Sequence, residues 1–73
     1  MTIYRKEISD KKWILFKQPD GKVVVKAMVK GVLSRPMIMA AGINLALAYV
    51  ASRSAGVKKL KIEDFEVVAG GVF

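Results

Sequence analysis

The most regular pattern of polar and apolar positions lies between Lys22 and Lys30 and predicts a β-strand with two different faces. Successive strand side chains point to opposite faces, so the three valines and one alanine at odd positions 23 to 29 would form an apolar face. Lys22, Lys26 and Lys30 would share the other face, with neighbouring lysines roughly 13 Å apart. Two interpretations of this basic face stay open. It could bind a polyanion, or it could be a solvated face whose lysines protect an edge strand from aggregation.

A turn in front of this strand predicts a β-hairpin. Trp13-Ile14-Leu15-Phe16 is a short aromatic and β-branched run that is typical of a strand. Between the two strands, Gln18-Pro19-Asp20-Gly21 combines a proline, which presets its own φ, with a glycine, which accepts a positive φ. Trp13 and Phe16 could stack on nucleic-acid bases, although aromatic residues at strand positions in a small domain usually belong to the core. We therefore expect an N-terminal β-hairpin.

The segment after Gly31 favours one long helix. Ser34 can cap the helix, and Pro36 fits within its first turn, where its missing N–H costs nothing. The pattern predicts a helix over residues 36–54 that ends near Gly56, a residue type that often follows the last helical turn. Residues 37–52 carry no charge. Such a helix would be buried on nearly every side, between its sheet and a partner subunit, or it would lie in lipid.

The membrane interpretation is the weaker of these two. The sixteen residues from 37 to 52 would rise about 24 Å, which is short of the roughly 30 Å hydrocarbon core of a bilayer. Arg35 and Arg53 flank both ends, so no charge asymmetry orients a span. The first twelve residues are mostly polar and lack the apolar segment of a secretory signal. We expect a cytoplasmic protein without a membrane span.

A third strand is predicted after the helix. Leu60 and Ile62 alternate with lysines, and the strand would continue through Phe65 to Val68. Residues 69–73 would be either a loose tail or a short extra strand between subunits. The prediction is therefore a single α+β domain over residues 1–73, of order ββαβ, with the N-terminal hairpin and one long apolar helix packed on a short sheet.

The charge balance favours the polyanion interpretation. The 73 residues include 13 Lys and Arg but only 6 Asp and Glu, which is a net charge of +7. All the basic residues precede residue 62, whereas Glu63, Asp64 and Glu66 follow it. A small domain of this kind binds phosphate backbones through the release of counterions.

Several kinds of chemistry are excluded by composition. The chain contains neither cysteine nor histidine, which removes disulfides, thiolate or imidazole metal sites, and mechanisms that need these side chains as nucleophile or base. Glu63 and Asp64 would face opposite sides of a strand, whereas paired acid–base catalysis needs two carboxyls that face one substrate. We expect no enzymatic activity and no cofactor. The 53% share of apolar residues in so short a chain favours a homodimer.

The run Val23-Val24-Val25-Lys26-Ala27-Met28, followed by Gly31 and Leu33-Ser34-Arg35, resembles the second half of Alba, a family of small archaeal chromatin proteins that bind DNA and RNA. In that family a similar strand leads to a glycine, a short loop and a helix. The resemblance covers about residues 22–68. This chain differs in having the turn at Pro19 where Alba proteins have a first helix, and in lacking their long basic hairpin. The resemblance implies a dimer whose basic loops follow a nucleic-acid backbone.

The resulting hypothesis is a homodimer that binds DNA or RNA without sequence preference through phosphate contacts. The principal candidate contacts are Lys22, Lys26, Lys30 and Arg35, and the secondary candidates are Lys11, Lys12, Lys58, Lys59 and Lys61. The predicted helix is apolar, so no recognition helix for the major groove is expected. Two alternatives stay open: a viral or ribosome-associated assembly subunit that uses its apolar helix for protein contacts, and a small membrane-anchored protein.

Overall fold

An antiparallel sheet dominates the structure, a computed structural model that describes residues 1–68. Its six strands are β1 (Thr2–Ile8), β2 (Lys11–Lys17), β3 (Val23–Val29), β4 (Val32–Leu33), β5 (Ile38–Ala40) and β6 (Glu66–Val68). They lie in the order β4-β3-β2-β1-β6, and β5 pairs with β3 beside β4. The described part of the chain also contains one α-helix, α1 (Ile43–Ser52), and a 3-10 turn (Ile62–Asp64).

The predicted hairpin is confirmed, but it is not N-terminal. Strands β2 and β3 pair antiparallel, and the Gln18 N–H donates to the Lys22 carbonyl at 2.8 Å across the turn. Gly21 has the positive φ that the turn requires, at +93°. Strand β1, which the sequence patterns did not predict, precedes this hairpin and pairs with the whole length of β2. The first three strands therefore form a meander.

The predicted helix over residues 36–54 is wrong in its first part. The chain reverses at Lys30-Gly31, where both residues have positive φ, and returns along β3 as β4 and then β5. The helix begins only at Ile43, with Gly42 as its N-cap residue. An apolar segment without charge can form either a strand or a helix. Here the open edge of β3 supplies hydrogen-bond partners that convert it into a strand.

Ser34 is part of a β-bulge and not a helix cap. Its N–H donates to the Ala27 carbonyl at 2.8 Å, and its Oγ accepts the Ala27 N–H at 3.0 Å. The next ladder bond runs from the Met37 N–H to the Val25 carbonyl at 2.8 Å, so Arg35 and Pro36 form a bulge opposite Lys26. The Ser34 hydroxyl thus accepts the hydrogen bond that a backbone carbonyl would accept from Ala27 in a regular strand pair.

The core lies between one face of the sheet and one side of α1. Ala46, Leu47, Val50 and Ala51 are the buried residues of the helix, whereas Leu45 is 59% exposed. Within a single chain the helix is therefore buried on one side and exposed on the other, and its burial against a partner subunit stays a prediction. The apolar face predicted for β3 is confirmed for residues 23, 25 and 27, which belong to the core, whereas Val29 is half-buried and lies outside it. The full core cluster is Trp13, Leu15, Val23, Val25, Ala27, Ala40, Ala46, Leu47, Val50, Ala51, Leu60 and Phe65.

The predicted third strand is mostly wrong. Residues 57–61 form no strand, and the 3-10 turn follows, in which the Asp64 carboxylate accepts the Lys61 N–H at 3.0 Å. Only Glu66–Val68 form a strand, and they pair with the outer edge of β1. Leu60 and Phe65, on the two sides of the 3-10 turn, both belong to the core. The alternatives for residues 69–73 lie outside the described residues.

The predicted ββαβ domain with one long helix is thus corrected to a mostly-sheet fold with one short helix. Between residues 1 and 68, no helix has the length and apolar character needed to cross a bilayer. The sheet has one face covered by α1 and a second face that points away from it. We call this second face the outer face.

Candidate nucleic-acid interface

The outer face is built by the side chains that alternate with the core residues of β2 and β3. Its central members are Lys12, Ile14 and Phe16 on β2 and Val24, Lys26 and Met28 on β3. Ile14 is fully buried although it lies opposite the core, and Val24 is 9% exposed. The outer face therefore combines basic residues with buried apolar side chains.

Lys26 lies in the middle of the outer face. It pairs with Ile14 in the β2–β3 register, and its Nζ is 5.3 Å from the centroid of the Phe16 ring. The cation–π contact and the packed aliphatic stem hold the side chain across the sheet. An ammonium group has three donors, so this position still allows hydrogen bonds to a phosphate.

Two further cations lie beside Lys26. Lys12 pairs with Met28, which places it diagonal to Lys26, at about 7 Å between the two backbones. Arg35 is exposed in the bulge opposite Lys26 on the other neighbouring strand segment. Lys12, Lys26 and Arg35 therefore lie on three adjacent segments of the sheet, and we call these three residues the central basic cluster.

Carboxylates lie on the β1 side of the same face. The Arg5 guanidinium contacts the Glu66 carboxylate at 2.6 Å, and Glu7 is paired with Lys12 in the β1–β2 register. The hydrogen bond from Arg5, followed by its charge, lowers the pKa of Glu66, and the charge of Lys12 acts in the same direction. The outer face is therefore asymmetric, with ion pairing near β1 and positive charge near β3.

Lys22 and Lys30 lie outside strand β3, which corrects the predicted row of three lysines. Lys22 is exposed in the turn before the strand, where its N–H donates to the Asp20 carboxylate at 3.0 Å. Lys30 is exposed in the turn after the strand and has a φ of +53°, which ends the alternation of faces. The two residues are separated by roughly 26 Å of extended chain. They mark the two ends of β3 and leave Lys26 as its only lysine.

Lys11 belongs to the opposite side of the sheet. Its Nζ lies 5.8 Å from the centroid of the buried Trp13 ring, and it lines a small cavity of about 180 Å³ together with Arg53. The Arg53 guanidinium lies 5.0 Å from the centroid of the Tyr49 ring. Lys11 and Arg53 therefore form a separate pair of cations at the end of α1.

The remaining secondary candidates form a third group. Lys58, Lys59 and Lys61 are exposed in the segment that follows α1. Lys58 and Lys59 line an open groove of about 560 Å³ against the exposed side of the helix. Leu60, which lies between Lys59 and Lys61, reaches the core, so this segment lies on the helix side of the sheet. The nine candidate residues are therefore divided among several surfaces.

The sequence patterns did not identify two basic residues that are candidates for binding. Arg5 lies on the outer face because β1 pairs with β2, and Arg53 contacts Tyr49 at the helix end. The β-branched and aromatic run Thr2-Ile3-Tyr4 was a usable signal for a strand that places Arg5. The i, i+4 spacing of Tyr49 and Arg53 was a usable signal for their contact, whereas the position of Lys11 beside them depends on a distant part of the chain.

Comparison of this chain with protein-family models, with curated proteins and with solved structures found no match. The resemblance to Alba stays a prediction that depends on the short motif around Lys26.

Proposed function

We propose that this protein binds nucleic acid without sequence preference through the outer face of its sheet. The supporting observation is the central basic cluster, in which Lys12, Lys26 and Arg35 occupy three adjacent segments of a protein with net charge +7. Lys22 and Lys30 lie in the turns at the two ends of β3 and add positive charge near the cluster. A polyanion that crosses the sheet along the cluster gains several phosphate contacts and releases the corresponding counterions.

Nonspecific binding is favoured over base readout. The exposed residues of α1 are Asn44, Leu45, Ala48 and Ser52, and the Ser52 hydroxyl donates to the Tyr49 carbonyl, so the exposed side of the helix offers few groups of the type that reads base edges. Lysine and arginine contacts to phosphates set position and affinity but carry no sequence information. The proposed complex therefore depends on salt concentration and only weakly on sequence.

The test compares two triple variants that remove the same charge from different surfaces. The first is Lys12→Gln, Lys26→Met and Arg35→Gln, in which methionine keeps an aliphatic chain over the outer face. The matched control, Lys58→Gln, Lys59→Gln and Lys61→Gln, changes the segment after α1. Fluorescence anisotropy with a labelled DNA duplex and a labelled single-stranded RNA measures affinity at several salt concentrations, and circular dichroism verifies that both variants fold.

Each lost phosphate contact should lower the log–log salt slope on duplex DNA by about 0.9, so the cluster variant should lose up to about 2.7. The control loses the same net charge and should keep most of the wild-type slope. Equal losses in both variants would point to diffuse attraction and contradict a site on the outer face. Wild-type affinity that does not change with salt would reject phosphate binding altogether.

A role as an assembly subunit is the second candidate, and one observation favours it. Several large apolar side chains are exposed, among them Met39 at 61% and Leu45 at 59%. Met39 lies on the sheet and Leu45 on α1, and large exposed apolar side chains of this kind can contribute to protein contacts. Formation of large defined assemblies by the purified protein without nucleic acid would favour this candidate.

A further inference from the structure

Strand β5 has an open edge. On one side it pairs with β3 through Val25↔Ile38, Val24↔Met39 and Val23↔Ala40. On the other side, no strand among residues 1–68 pairs with it. An open strand edge presents backbone donors and acceptors in a fixed geometry, so the partner that fits it is another extended backbone.

The hydrogen-bond pattern identifies Met39 as the residue that presents these groups. In antiparallel ladders, successive residues of a strand direct their N–H and C=O alternately to the two sides. The Met37 N–H bonds to the Val25 carbonyl, so Val25 directs its backbone groups towards β5. Its partner Ile38 therefore bonds to β3, as does Ala40, and Met39 between them directs its N–H and C=O outwards.

This edge lacks the charges that usually protect an edge strand. The chain contains no charged residue from Pro36 to Ser52, and Met39 is 61% exposed. The other short strands differ in this respect. Lys30 and Arg35 stand before and after β4, and Glu66 lies in β6 at the opposite edge of the sheet.

We propose that β5 pairs in antiparallel orientation with β5 of a second copy of this chain, about a two-fold axis at Met39. The geometry of the edge favours a second copy as the occupant, because a strand of three residues whose central Met39 directs its backbone groups outwards is self-complementary in antiparallel pairing. Two molecules of net charge +7 repel each other, and the uncharged β5 edge is a surface on which they can approach with little local repulsion. A two-fold axis makes the contact self-complementary, because each Met39 donates its N–H to the other and accepts in return.

The pairing joins two sheets into one. Met39 points to the outer face, since it pairs with Val24, so the two methionine side chains would lie opposite each other across the axis. The two central basic clusters would then lie on one continuous surface. The use of this joined surface rests on the proposed nucleic-acid binding, whereas the pairing itself does not.

A weak dimer is expected, because the paired edge is only three residues long and the contact lies at the small end of specific interfaces. Salt should strengthen it by screening the repulsion between the two copies. Nucleic-acid binding should respond in the opposite direction, so the two proposals can fail independently.

The experiment is sedimentation-velocity ultracentrifugation of the protein without nucleic acid, at about 10 to 500 µM and at low and high salt. Two variants block the edge in different ways. Met39→Lys places two ammonium groups opposite each other, and Met39→Pro removes the outward N–H without removing a bond to β3. Val67→Lys is the matched control, since Val67 is the central residue of the three-residue edge strand β6 and is 67% exposed.

Wild-type protein and Val67→Lys should dimerise with rising concentration, and more tightly at high salt. Both Met39 variants should raise the dissociation constant at least about tenfold. A wild-type monomer throughout the concentration range at both salt levels would overturn the proposal. So would a dimer that Val67→Lys dissociates, or one that folded Met39→Lys, confirmed by circular dichroism, leaves intact.

Discussion

Replacing Ser34 with alanine should destabilise the protein by removing an acceptor from the bulge beside Lys26. The Ser34 Oγ accepts the Ala27 N–H at 3.0 Å, and Ala27 is 4% exposed. Without the hydroxyl, this donor has no carbonyl in register, because Arg35 and Pro36 form the bulge. Leaving a desolvated N–H without a partner costs about 1 to 3 kcal/mol of the free energy of unfolding.

For a domain of this size, such a loss lowers the melting temperature by roughly 5 to 20 °C. Calorimetry and urea unfolding measure it, with Ser52→Ala as the matched control. The Ser52 hydroxyl donates to the Tyr49 carbonyl at 2.7 Å on the exposed side of α1, and that carbonyl also accepts the Arg53 N–H. The control should therefore change stability by less than about 0.5 kcal/mol. Ser34→Thr keeps an oxygen at the same position and should restore most of the lost stability.

Amide hydrogen exchange distinguishes between a role of Ser34 in the bulge and a role as a helix cap. In the bulge, Ser34→Ala should deprotect the Ala27 amide selectively. If Ser34 capped a helix, the Met37 amide at the third helical position would lose its protection instead. Unchanged protection of Ala27, or a stability loss no larger than that of Ser52→Ala, would refute the bulge assignment.

Two further predictions concern the core and the acid response. Val50→Ala should lower the free energy of unfolding by about 2 kcal/mol, because Val50 is 0% exposed and its methyl groups leave a cavity. Leu45→Ala, at a 59% exposed position of the same helix, should cost less than about 0.5 kcal/mol in the same urea titration. The pKa of Glu66 is lowered from 4.5 in the native protein by Arg5, so its contribution to stability is present above 4.5 and is lost as the pH falls through the lowered native pKa. Glu66→Gln should therefore flatten the acid limb of a stability-against-pH curve, and an unchanged acid limb would contradict this ion pair.

Local patterns predicted the parts of the fold that local chemistry determines. The turn at Pro19-Asp20-Gly21 forms because its residues prefer the required backbone angles wherever they are placed. The apolar side of β3 is in the core because alternation in a strand places every second side chain on the same face. Strand β1 begins with the β-branched and aromatic run Thr2-Ile3-Tyr4, but its charged residues leave no regular alternation.

The candidate site was predicted only in part. Lys26 was placed correctly on the face away from the core, and its neighbour Arg35 was among the candidates. The grouping of Lys12 with them depends on the β2–β3 register, which is a contact between strands. The separation of Lys22 from Lys30 depends on where β3 ends. Sequence spacing alone therefore could not define the cluster.

The sequence by itself determined the net charge, the absence of cysteine and histidine, the hairpin turn and the two faces of β3. Only the tertiary structure decided that residues 38–40 are a strand and that α1 starts at Ile43. The physical reason is that an uncharged apolar segment can form either element. A helix satisfies its backbone groups within itself, whereas a strand needs a partner. The open edge of β3, brought alongside by the turn at Lys30-Gly31, provides that partner.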